Sequence, residues 1–331
     1  MKFIMNKNNS KFKKIISIIF FNLIAIIALW IISDVCIYIT SLKLNNQLSF
    51  QNLKDFYKKP TIPINDMEHL FLEDYQTNEN MIKLRKPNGL QFKSSPILLF
   101  GCSFAFGHYL KYNQNFSYKL SNQLKRPVYN RSIPGSGIQQ MYYQTTRDEF
   151  YKIVHPCNTV IHVFMDAHFK RMLGHDCFIH GISIFLHYKY KNGKLIMDNY
   201  NNPFVVFNKY NYTLRAIRRI YNEFYLKNPK NVDRITNEAL SYFLKIRENL
   251  ENSWHNKVKF IVLFYTPYMR HEQVLMNKLR ENNFIVISTD DLTNEDLHSK
   301  KYKLPDEHPN EEAWDLLTPL FIEKMKQEKV F

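Results

Sequence analysis

The chain has 331 residues, 45% of them hydrophobic and 15% aromatic, with only 8 glycines. That composition excludes a disordered or low-complexity chain and supplies enough core for one large domain. The formal net charge is +15, but Lys and Arg are spread along the chain, with no block of five and no nucleic-acid-binding motif. The reading is a solvated basic surface with no nucleic-acid partner, suited to anionic lipid or acidic glycan.

Cys36, Cys102, Cys157 and Cys177 contain no CxxC pair, which argues against dependence on disulfides and leaves one bridge open, for example Cys157–Cys177. His168, His175, Cys177 and His180 lie close together, but their spacing fits no standard zinc site. Neither metal nor cofactor is expected.

In chain order, Ile15 to Ser33 is apolar apart from Ser17, Asn22 and Ser33. As a helix it would measure about 28 Å, close to the hydrocarbon thickness of a bilayer. Lys2, Lys7, Lys11, Lys13 and Lys14 precede it, whereas Asp34 follows and Lys43 is the one nearby basic residue beyond it. The positive-inside rule then predicts a cytoplasmic N-terminus at 1–14, a single-pass signal anchor over 15–40 and an extracytoplasmic domain. A cleaved signal peptide is the rival, and no Ala-x-Ala site follows the span. Residues 41–94, polar with Pro60, Pro63 and Pro87, read as a stalk and lead-in.

From residue 95 to 327 strands and helices alternate. Pro96–Gly101, Pro127–Asn130, Thr159–Met165, Val258–Tyr265 and Phe284–Ser288 read as buried strands. Asn115–Lys125 reads as a helix with Phe116, Leu120 and Leu124 on one face, and Ile138–Ile153 as a second. A final helix starts at Asn310, an N-cap followed by Glu311 and Glu312, and Pro319 is expected to kink or shorten it. Residues 172–255 interrupt the rhythm with a hairpin (Ile184–Tyr190, Lys194–Met197) and helical stretches near Tyr212–Leu226 and Val232–Asn252. An insertion of this length often caps a site. The pattern implies an α/β fold: a flavodoxin-like, three-layer α/β/α arrangement on a mostly parallel five-stranded sheet, preceded by one transmembrane helix.

Ligands bind outside the carboxyl ends of such strands, and several chemical groups follow those ends. Leu98 to Gly107 carries Ser103 from a strand into a sharp turn before a helix. That setting offers a nucleophilic hydroxyl together with backbone N–H groups for an oxyanion. A serine nucleophile needs a histidine with a carboxylate, and Asp306-Glu307-His308-Pro309-Asn310 offers one near the C-terminus. The bland readings are an N-cap for Ser103, turn glycines at Gly135 and Gly137, loop roles for Asp306 and His308, and an ion pair among Asp166, His168 and Arg171.

These blocks, in this order, resemble the SGNH (GDSL-like) hydrolase superfamily. Gly101-Cys102-Ser103-Phe104-Ala105-Phe106-Gly107 is similar to its first block, Asn130 to Gln140 to its second, and Asp306 to Asn310 to its last. The resemblance implies Ser103, Asp306 and His308 as a triad. It also implies an oxyanion hole of the N–H groups of Ser103 and Gly135 with a third donor. The family's third block supplies an Asn there; this chain has none, and His168 is the expected substitute. Asp306 and His308 are two apart where the family usually has three.

The implied function is a membrane-anchored esterase or deacetylase acting on acyl esters of an envelope glycan or lipid. An O-acetyltransferase with the same triad and a catalytically silent binding domain are the alternatives. Oligomeric state stays open.

Overall fold

A computed structural model of the chain describes residues 20–33, 36, 95–107, 109–172, 188–191, 194–197, 221, 224–267 and 270–331. The chain divides into two compact units, Met1–Thr61 with Tyr200–Tyr221, and Ile62–Asn199 with Asn222–Phe331. In the first, residues 20–33 are helical. Large apolar side chains from Phe20 to Ile32, on every face of that helix, are 46–69% exposed. Among the described residues no helix is long and apolar enough to cross a membrane. Residues 15–19 of the expected span, and the stalk at 41–94, lie outside the described residues.

The second unit is built on five parallel strands: β1 Ile97–Phe100, β2 Val128–Asn130, β3 Thr159–Phe164, β6 Lys259–Phe264 and β7 Ile285–Ser288. A separate antiparallel hairpin pairs β4 Tyr188–Lys191 with β5 Lys194–Met197. The sheet order is β2-β1-β3-β6-β7. Counting sheet strands alone, that is the flavodoxin order, and it reverses between β1 and β3, where a crevice opens at the carboxyl ends.

Alternation along the strands divides the core. Ile97, Leu99, Ile161, Val163, Ile261 and Leu263 face one side, where helices α2 Phe116–Leu124 and α8 Glu311–Gln327 bring Phe116, Leu120, Trp314 and Phe321. Phe116 and Trp314 stack at 4.7 Å between ring centroids. Leu98, Phe100, Val160, Phe164, Phe260, Val262 and Phe264 face the other side. That side is covered by α3 Ile138–Thr145, α4 Asp148–Ile153, α5 Ala167–Met172, α6 Val232–Trp254 and α7 Arg270–Glu281. Because both faces are covered, the strands read as continuous apolar runs.

Three expectations change. The helix expected over Ile138–Ile153 is two, because the Thr145 and Thr146 hydroxyls donate to the carbonyls of Tyr142 and Tyr143, both at 2.8 Å, where the ladder ends. α6, assigned to the insertion, is the crossover helix between β3 and β6; Ile235, Ala239, Tyr242, Phe243, Ile246 and Leu250 recur at helical spacing and are buried against the sheet. α8 is not shortened by Pro319 but runs on to Gln327, with the Thr318 hydroxyl donating to the Trp314 carbonyl at 2.6 Å. The sequence near Tyr212 and most of the first expected hairpin strand lie outside the described residues.

Candidate active site

β1 ends at Phe100, and the chain turns at Gly101 and Cys102 into α1 Ser103–Phe106. A methyl group on Gly101 would lie 2.6 Å from the Ala105 Cβ and 3.2 Å from the Val163 carbonyl. Glycine is therefore what lets α1 fold back so close to β1 and β3. Gly107, left-handed at φ 76°, closes the helix with its N–H directed at the Ser103 and Phe104 carbonyls. Ser103 is thereby fixed at the switch point of the sheet and keeps 8% of its surface.

The segment after β2 runs on beside the end of β1. Arg131 N–H donates to the Leu99 carbonyl at 2.8 Å and Ile133 N–H to the Gly101 carbonyl at 3.1 Å. Ile133-Pro134-Gly135-Ser136 then makes a turn closed by Ser136 N–H to the Ile133 carbonyl at 3.0 Å, with Gly135 at φ 75°. Pro followed by a glycine at positive φ is the pair a type II turn uses. The turn is fastened twice more: Ser136 Oγ donates to the Gly101 carbonyl at 3.1 Å, and an Arg171 guanidinium nitrogen donates to the Ser136 carbonyl at 2.7 Å. Asn130 ties the same strand end to α1, its Nδ2 donating to the Ala105 carbonyl at 2.9 Å. Among the described residues the N–H groups of Ser103 and Gly135 donate to no protein acceptor. Backbone N–H groups without a protein acceptor are able to serve a developing oxyanion where they converge on it.

The C-terminal segment forms a tight loop before α8. Leu304 N–H donates to the His308 carbonyl at 2.8 Å, and Glu307 N–H to the Leu304 carbonyl at 3.0 Å. Glu307 adopts φ 72° and its carboxylate pairs with Lys303. Asn310 caps α8, its Oδ1 accepting Ala313 N–H at 3.0 Å. Inside this loop Asp306 Oδ2 lies 2.8 Å from His308 Nδ1, and Asp306 Oδ1 accepts the His308 N–H at 3.3 Å. A neutral imidazole whose Nδ1–H is given to Asp306 keeps its lone pair on Nε2.

The loop meets the Ser103 segment through rings. His308 and Phe104 centroids are 5.2 Å apart, and Phe104 in turn stands edge-on to Tyr265 at 5.2 Å. Tyr265 is buried, which pushes its phenol well above the ordinary value and keeps it neutral. No hydrogen bond joins the Ser103 hydroxyl to His308 in this arrangement. Such bonds are often long without substrate and tighten when it binds.

His168 is placed elsewhere. It is fully buried, and its ring packs on Phe164 at 5.0 Å and His162 at 5.2 Å, on the α5–α6 side of the sheet. That side is opposite the one to which Phe104 and Tyr265 belong. Both ring nitrogens of His168 are buried without a hydrogen-bond partner, so the one N–H of its neutral ring is enclosed on that side of the sheet and not directed at the Ser103 segment. Nor does it join an ion pair: Asp166 pairs with Lys170 at 3.1 Å and Arg171 turns to Ser136. Burial, then the nearby Arg171, hold His168 well below the ordinary histidine value. The side chain at the end of β3 beside Cys102 is Met165, whose sulfur lies 3.4 Å from the Cys102 Sγ. A thioether has no proton to donate.

Sequence reasoning missed Phe104, Asn130 and Arg171 as holders of the site. The Asn130-Arg131-Ser132 run beside the Gly135 turn was the one available signal. Among the described residues no group of three or more His, Cys, Asp or Glu side chains is arranged to hold a metal ion.

No family model matches the chain, and no curated protein matches it. Among solved structures the chain is similar to a member of the lipolytic protein G-D-S-L family from Veillonella parvula, at 13% identity and a TM-score of 0.38 over 70% of this chain and 97% of that one. It is also similar to a psychrotrophic esterase from a Pseudoalteromonas species, at 11% identity and a TM-score of 0.41 over 71% and 98%. A third is a catalytic mutant of an acetylxylan esterase from Geobacillus stearothermophilus, at 12% identity and a TM-score of 0.38 over 71% and 96%.

Proposed function

We propose that the second unit is a serine esterase of the SGNH type that removes acyl groups from esters of an envelope glycan or lipid. The observation that carries this reading is the Asp306–His308 pair, held against Phe104, the residue next to Ser103. His308 Nε2 takes the Ser103 proton as Oγ attacks the ester carbonyl, and the carbonyl electron pair moves onto oxygen. The N–H groups of Ser103 and Gly135 receive that oxyanion. On collapse the imidazolium returns its proton to the departing alcohol, leaving an acyl-serine. Water attacks the acyl-serine in a second round, with His308 again as base, and releases the carboxylic acid and free Ser103. Asp306 orients the ring and stabilises its charged form throughout.

The first unit is proposed as a single-pass signal anchor over 15–40, with residues 1–14 in the cytoplasm and the esterase unit outside it. Support comes from the five lysines before residue 15 and from the exposed apolar side chains between Phe20 and Ile32. Lipid accounts for such a helix, because one that is hydrophobic all round needs an apolar environment.

The test of activity is hydrolysis of small acetyl esters by the purified protein, followed in a pH-stat. Turnover that is lost in Ser103→Ala, with the melting temperature retained, supports the reading. Absence of turnover in the wild-type protein overturns it.

A further inference from the structure

We infer that Tyr109 is the substrate-selecting platform of this site, stacking on a sugar ring that carries the ester, so that the substrate is an O-acylated glycan rather than a lipid. The inference rests on the serine-esterase reading and names its alcohol.

Tyr109 is 70% exposed, although an aromatic ring left in water gains nothing for folding. Its backbone is left-handed, at φ 63°, which a side-chain-bearing residue adopts at a cost. The residue that follows it is tied back, Leu110 N–H donating to the Gly107 carbonyl at 3.1 Å. This holds the Tyr109 ring edge-on to His308, with centroids 6.1 Å apart and planes at 81°. His308 thus has Phe104 packed against one part of its ring and the exposed Tyr109 against another.

The geometry assigns a subsite. In the proposed mechanism His308 hands its proton to the departing alcohol oxygen, so a group beside the His308 ring borders the alcohol half of the ester. A flat aromatic face next to polar neighbours matches a pyranose, which has one apolar C–H face and a hydroxylated rim. The loop that carries His308 is itself polar: Asp306 pairs with His308, and Glu307 with Lys303. In this unit the large hydrophobic side chains exposed among the described residues are Tyr109, Phe224 and Phe331. Of these, Tyr109 alone has a ring contact with His308, and Phe331 lies under Arg126.

The test compares kcat/KM on two acetate esters, peracetylated methyl glucoside and triacetin, for the wild type, Tyr109→Ala and Tyr109→Trp. The expected result is a sugar-to-glycerol preference ratio that falls by about tenfold in Tyr109→Ala, mainly through KM, and is kept in Tyr109→Trp. Equal losses on both esters, an unchanged ratio, or a wild-type protein that hydrolyses triacetin and not the sugar ester would overturn the platform while leaving the esterase standing. Hydrolysis of neither ester by the wild type would overturn the esterase reading and the platform with it.

Discussion

Asp306 holds His308 at two points, accepting its backbone N–H at 3.3 Å on Oδ1 and lying 2.8 Å from Nδ1 with Oδ2. With one residue between them, one carboxylate spans both atoms, and Glu307 takes the left-handed φ of 72° within that short loop. The two-residue spacing is therefore compatible with an oriented histidine.

Asp306→Asn keeps the shape of this contact but presents an amide N–H to Nδ1, which puts the histidine proton on Nε2, where the base is needed. We expect kcat to fall by about 10²–10⁴-fold. Thermal stability should change little, because the Asp306 side chain is 38% exposed. Steady-state kinetics beside a melting curve checks both, and a loss of less than fivefold would remove Asp306 from the account.

His168→Leu should leave turnover per folded molecule near normal, since the ring is sealed on the far side of the sheet from Phe104. The melting temperature is free to move in either direction, because two buried ring nitrogens without partners disappear along with some ring packing. A kcat reduced by about 10²-fold or more, the usual cost of an oxyanion donor, would return His168 to the site.

The buried pair His162 and His168 predicts acid sensitivity. Burial holds His162 well below the ordinary value of 6.5, and His168 beside it lowers it further; burial and then Arg171 lower His168, with Asp166 acting the other way. Below pH 6.5 the unfolded chain binds protons that the folded chain refuses, so stability falls as pH falls and is flat in these two groups above pH 6.5. Each contributes a slope of up to about 1.4 kcal/mol per pH unit. Denaturant midpoints between pH 7 and 5 should drop less steeply in His162→Leu/His168→Leu than in the wild type. Equal slopes would contradict this.

Met165 directly follows β3, with its sulfur 3.4 Å from the Sγ of Cys102, the residue that precedes Ser103. Met165→Asn should raise kcat on acetyl esters by about tenfold with KM little changed, a fraction of the 10²–10³ that a well-placed donor supplies. An unchanged or lower kcat in a stably folded variant would show that the hole has no place for a third donor on this strand.

The sheet was legible because each strand is a short apolar run with a turn signal after it, and Ser103, Gly135 and His308 could be placed because they follow strand ends or precede a capped helix. His168 lies away from the Ser103 segment for a directional reason. It too follows a strand end, but α5 begins at Ala167 and turns His168 with Phe169 and Met172 toward the core. A sequence shows that a residue follows a strand, not which side of the sheet the next helix takes. α7 escaped notice because its buried face mixes His271 and Glu272 with Leu275, Met276 and Leu279. Tyr109 gave no signal, since its place beside His308 joins segments about two hundred residues apart.

The most direct test of the central claim is reaction of the purified protein with a fluorophosphonate, followed by mass-spectrometric mapping of the adduct. The account predicts one phosphonylated residue, Ser103, with labelling abolished in Ser103→Ala and slowed by at least about 10²-fold in His308→Ala, because the triad acts as a unit. Absence of labelling in the wild type, or labelling that persists in Ser103→Ala, would contradict it.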